Sequence, residues 1–97
     1  MTLTEFSSTL NQPSPPKELG IFLQALWYEA KGNWDKAHDL VQDEENPEGA
    51  WIHAYLHRKE GDISNAGYWY RKANRKMPVT TLEQEWSDMV KEFLLKI

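Results

Sequence analysis

Residues 50–66 read Ala50-Trp51-Ile52-His53-Ala54-Tyr55-Leu56-His57-Arg58-Lys59-Glu60-Gly61-Asp62-Ile63-Ser64-Asn65-Ala66. Just before them stands Asn46-Pro47-Glu48, an N-cap residue, a proline suited to the first helical position and an acid in the first turn. A helix is therefore expected from Pro47 to about Glu60. Gly61 stops it, because a tight turn after a helix needs positive φ. Asp62 then caps a second helix carrying Ile63, Ala66, Trp69, Tyr70 and Ala73, which ends before Pro78. A helix, a glycine, a capping residue and another helix make a helical hairpin.

The same grammar extends in both directions. Upstream, Leu19, Phe22, Leu23, Leu26 and Ala30 recur at helical spacing, Gly32 supplies a stop, and Asn33 caps a helix bearing Trp34, Ala37, Leu40 and Val41. Downstream, Thr80-Thr81-Leu82-Glu83-Gln84 offers a capping box, followed by the apolar stripe Leu82, Trp86, Met89, Val90, Phe93, Leu94 and Ile97. Residues 1–16 end in Pro13-Ser14-Pro15-Pro16 and are expected to form an extended or disordered tail. No stretch alternates as a strand does. The expected fold is all-α: one domain over residues 17–97, with hairpins at about 18–45 and 47–77 and a capping helix at about 81–97.

The chain has 97 residues, enough for one small domain, and its five Trp, four Tyr and three Phe supply core area without staples. No cysteine is present, which removes disulfides, thiol nucleophiles and cysteine zinc sites. Net charge is −4, against a surface that tracks nucleic acid or anionic lipid throughout. No apolar run is long enough for a bilayer and no leader pattern opens the chain, so a cytoplasmic location is expected by elimination. Five tryptophans over five helices are more than so small a domain is expected to bury. That predicts an exposed apolar patch, and with it a homodimer or a bound partner.

The second hairpin echoes the first at an offset of 29 residues: Gly20 with Gly49, Ala25 with Ala54, Gly32 with Gly61, Ala37 with Ala66. The pattern G-[ND]-x-x-x-A in Gly32–Ala37 and Gly61–Ala66, with Asn65–Ala73 as a second helix and Pro78 closing the unit, resembles tetratricopeptide and Sel1-like helical repeats. The resemblance covers about residues 18–78, and Ala50–Asp62 is similar to a group of short bacterial proteins of the same type. It implies stacked hairpins plus a cap, and a concave groove lined by the first helix of each repeat. On that register the groove positions are Leu19, Phe22, Leu26, Glu29 and Ala30, then Glu48, Trp51, Tyr55, Arg58 and Lys59. Phe22, Leu26, Trp51, Tyr55, Arg58 and Lys59 become the candidate partner-binding residues, with Trp69, Tyr70 and Arg71 next to them. Aromatic anchors with an arginine fork suit a short protein or peptide segment. The competing reading packs the same aromatics against the fifth helix or the tail.

Two other constellations compete. His53 and His57 stand at i, i+4 with Glu60 a turn further on, a spacing that can hold a divalent metal; His38 is the remaining histidine. Ala54 occupies the general-base position of a zinc protease helix, and a structural role for hydrogen-bonded imidazoles is the favoured reading. Arg58, Lys59, Arg71, Lys72, Arg75 and Lys76 gather six basic residues, with a 71–76 face that could meet phosphate or nucleic acid. The acidic run Asp35, Asp39, Asp43, Glu44, Glu45, Glu48 is its counterweight. No phosphate loop and no nucleophile motif occur, so no catalytic residue and no cofactor are expected. The expectation is a non-enzymatic scaffold or adaptor that binds a protein or peptide segment. Its alternatives are a small metal- or ligand-binding protein or enzyme centred on His53, His57 and Glu60, and a phosphate or nucleic-acid binder.

Overall fold

A computed structural model describes residues 1–96. Among these the chain is all-α, with helices α1 (Leu3–Ser8), α2 (Ile21–Ala30), α3 (Trp34–Val41), α4 (Pro47–Lys59), α5 (Ile63–Lys72) and α6 (Leu82–Leu95), and no strand. None of the helices is long and apolar enough to cross a membrane. Helices α2 and α3 form one antiparallel hairpin, α4 and α5 the second, and α6 lies against α2 and α4.

The turns follow from the residues in them. Gly32 and Gly61 adopt φ of +85° and +87°, and Asn74 takes the same left-handed conformation after α5. Each lets the next amide reach back to a carbonyl of the last turn: Asn33 N–H to Tyr28 O, Asp62 N–H to His57 O and Arg75 N–H to Tyr70 O, all at 2.9 Å. The side chains of Asn33, Asn46, Asp62 and Thr81 each accept a bond from a first-turn amide. The expected box at Thr81 is half formed, because the Gln84 amide group turns forward to Asp88.

The internal echo holds in packing. Ala25 and Ala54 are fully buried, as are Ala37 and Ala66, where neighbouring helices approach closely. Gly20 and Gly49 are not equivalent. Gly20 precedes α2 as its N-cap with open space around it, so the first hairpin starts at Ile21 rather than near residue 18. Gly49 lies within α4, where a β-carbon would come within 2.5 Å of Glu44 Cβ and 2.7 Å of its carbonyl oxygen. Ile63 is half exposed, outside the buried face of α5, and Ile97 of the C-terminal stripe lies outside the described residues.

Residues 1–16 are not simply a tail. Thr2 and Glu5 close a capping box, and α1 follows. Hydrogen bonds from the Thr2 backbone and side chain hold the Glu5 carboxyl below the usual carboxylate range. Phe6 is fully buried 5.9 Å from the Trp86 ring, Thr9 accepts from Trp27 Nε1, and Lys31 Nζ bonds the Leu10 carbonyl. The prolines do force an extended segment, but it connects α1 to α2 and lets α1 fold back on the bundle.

Candidate functional site

Helix α6 packs against α2 and α4, over most of the positions expected to line a groove. Leu26, Trp51, Tyr55 and Tyr70 are buried, and Phe22 and Trp69 are partly covered. At the centre stands Glu85, 2% exposed. Its carboxylate accepts from Trp51 Nε1 (3.1 Å), Arg58 Nη1 (2.7 Å) and the Tyr70 hydroxyl (2.6 Å), while Arg58 Nη2 donates to the Thr80 carbonyl. Burial, with the Glu85 carboxylate beside it, pushes the Tyr70 hydroxyl above the usual phenol range. Aromatic anchors and an arginine fork do hold a carboxylate, but that carboxylate belongs to the chain's own last helix. Leu26, Trp51, Arg58 and Tyr70 are therefore reassigned from partner binding to internal packing. The physical reason is the apolar stripe of α6, whose Met89, Val90 and Phe93 bury themselves in the same concavity.

The five tryptophans are also largely covered within the domain. Trp27 and Trp51 are buried, and Trp34, Trp69 and Trp86 are partly buried. Trp34 Nε1 donates to the Leu56 carbonyl at 2.8 Å and Trp86 Nε1 to the Leu26 carbonyl at 3.0 Å. Most of the tryptophan area that pointed to an exposed patch is covered inside the domain.

Beside α6 a cleft of about 360 Å³ remains open among α1, α2, α4 and α6. Leu10, Ala30, Tyr55, Leu82 and Trp86 give it apolar walls, with Glu29, Lys59 and Glu83 among them. Glu29 is buried and paired with Lys59, the half-exposed cation at the mouth. Burial first, then the carboxylates of Glu29 and Glu85, raise the Tyr55 hydroxyl well above the phenol range. Phe22 lines a second cleft, with Gly20, Leu23, Glu48, Phe93 and Lys96.

Between the two hairpins the fold gathers all three histidines. His38 on α3 and His53 on α4 place their Nε2 atoms 2.9 Å apart. His57, one turn beyond His53, stacks on it at 4.9 Å. One ring nitrogen from each histidine lies within 4.8 Å of one from each of the others. Two indoles fix the rings: Trp34 stacks on His38 at 4.9 Å and Trp69 on His53 at 3.9 Å. Glu60 accepts from His57 Nδ1 at 2.7 Å, so within the expected His53, His57, Glu60 group Glu60 meets His57. Burial and the two neighbouring imidazoles lower His53 to about 4, and burial together with His57 also lowers His38. Near neutral pH both rings are uncharged and each keeps a lone pair.

The basic face is partly consumed. The Arg75 guanidinium lies 3.4 Å over the Trp51 ring and bonds Glu92 at 3.1 Å, while Lys72 sits over Tyr68 and Trp69. Arg71 and Lys76 are exposed, along a shallow surface with Asn74 and Arg75. Comparison of the chain with protein-family models, with curated proteins and with solved structures finds no match in any of the three.

Proposed function

We propose that the chain is a non-enzymatic, tetratricopeptide-like interaction module that holds a short protein segment in the cleft among α1, α2, α4 and α6. The observation that carries this reading is the cleft itself: about 360 Å³, walled by Leu10, Tyr55, Leu82 and Trp86, with the Glu29–Lys59 pair set into it. An apolar side chain of the partner would fill the cleft, and polar groups flanking it would meet Lys59 and Glu83 at its mouth. Of the residues expected to bind a partner, Tyr55 and Lys59 keep that role. The cleft stands where the resemblance places the groove, in the part that α6 leaves uncovered.

The test is affinity capture with wild type and an Ala30→Trp variant. Ala30 is exposed at the end of α2 and lines the cleft, so an indole there fills the space without entering the core. Circular dichroism first establishes that the variant is folded. A protein retained by wild type and lost by Ala30→Trp is the expected result. Identical captured material from both would overturn the cleft reading.

A further inference from the structure

We propose that His38, His53 and His57 form a binding site for one divalent transition cation of the zinc class, which ties the first hairpin to the second. Imidazole nitrogen is a preferred donor for such ions, and three protein ligands with an open fourth position is a recurrent arrangement. Zinc–nitrogen bonds of about 2.0–2.1 Å place tetrahedral ligands roughly 3.3 Å apart. The nitrogens here, 2.9 Å apart for one pair and within 4.8 Å for all three, bracket that spacing.

Three further features bear on such a site. First, His57 gives Nδ1 to the Glu60 carboxylate, which fixes the tautomer and leaves Nε2 as the donor; a carboxylate behind a ligating histidine is the usual outer shell. Asn65 Nδ2 lies 3.4 Å from that Nε2, consistent with a lone pair there. Second, the rings of His38 and His53 are each backed by an indole, so ligation needs little reorganisation. Third, His53 is 5% exposed, yet its Nδ1 has no hydrogen-bond partner among the described residues. In the metal-free pair one Nε2 donates to the other, so one of them carries the ring hydrogen. Ligation through both Nε2 atoms moves the donor ring's hydrogen to its own Nδ1, so both imidazoles stay neutral and His53 carries its hydrogen on Nδ1. His38, partly exposed, is the side from which an ion arrives.

The experiment is titration of the full-length, chelator-stripped chain with zinc chloride near neutral pH, read by calorimetry and by NMR of the histidine ring signals. Expected are one zinc per chain, perturbation of all three imidazoles and a raised melting temperature. His38→Ala, a change at a partly exposed position, should weaken binding at least tenfold. Glu60→Ala keeps every ligand and removes only the carboxylate behind His57, which is 40% exposed, so its fold is not at issue; it should cost ten- to a hundred-fold. The proposal is overturned if wild type takes up no zinc at tens of micromolar, or if zinc leaves any of the three imidazoles unperturbed. It is equally overturned if zinc follows Glu60 and Asp62 alone, so that His38→Ala binds as tightly as wild type.

Discussion

Glu85→Ala is the sharpest test of how the last helix is held. The wild-type carboxylate is 2% exposed and accepts from Trp51 Nε1, Arg58 Nη1 and the Tyr70 hydroxyl. Truncation leaves the indole N–H and the phenol O–H buried without an acceptor, each costing about 1–3 kcal/mol. Arg58 is 15% exposed at its side chain and keeps the Thr80 carbonyl, which places its share at the low end. The sum is about 4 kcal/mol, in line with the roughly 3–5 kcal/mol for removing one member of a buried ion pair. A domain of this length has about 5–15 kcal/mol in all, so the variant loses a large fraction of its stability. Its melting temperature should fall by roughly 15–30 °C. Urea unfolding followed by circular dichroism gives the midpoint, and an unchanged slope establishes that the same surface is exposed. Glu85→Gln keeps an acceptor but not the charge and should fall between the two. A Glu85→Ala variant within about 1 kcal/mol of wild type would refute the account.

Two more outcomes follow from buried groups. His53 is held near pKa 4 by burial and by His38 and His57, against 6.5 in the unfolded chain; Trp69 covers it and Asp35, Asp39 and Glu60 lie near its neighbours. The unfolded state therefore binds more protons between those values, so stability is complete above about pH 6.5 and falls as pH drops toward 4, by roughly 3 kcal/mol at most. Urea midpoints at pH 7 and 5 in chelator measure this, and an equal drop in a His53→Phe variant would remove the imidazole as its cause. Phe6→Ala deletes a fully buried ring and should cost about 3–5 kcal/mol; a loss below 1 kcal/mol would mean that α1 is not part of the core.

The hairpins were legible because their signals are local. Gly32 and Gly61 stop helices by backbone conformation, and Asn33, Asn46 and Asp62 cap the next ones through bonds three residues long. What α6 packs against was not legible. Its stripe marks an apolar face but carries no address, and Glu85 reads as one more surface acid until Trp51, Arg58 and Tyr70 surround it. Helix α1 was hidden differently: Thr2 and Glu5 spell a capping box, but three nearby prolines outweighed it. For the histidines, helical spacing related His53 to His57, whereas the third ring arrives across the hairpin seam from α3, which no spacing rule reports.

The seating of α6 also orders events in time. The hairpins close over short sequence separations, but Glu85 meets Trp51 across 34 residues and Trp86 meets Leu26 across 60. Loop-closure entropy makes such contacts the slow ones, so the expected order is hairpins first and α6 onto them afterwards. On that order the apolar faces of α2 and α4 stay open until α6 docks, and that interval is the one in which self-association would be expected.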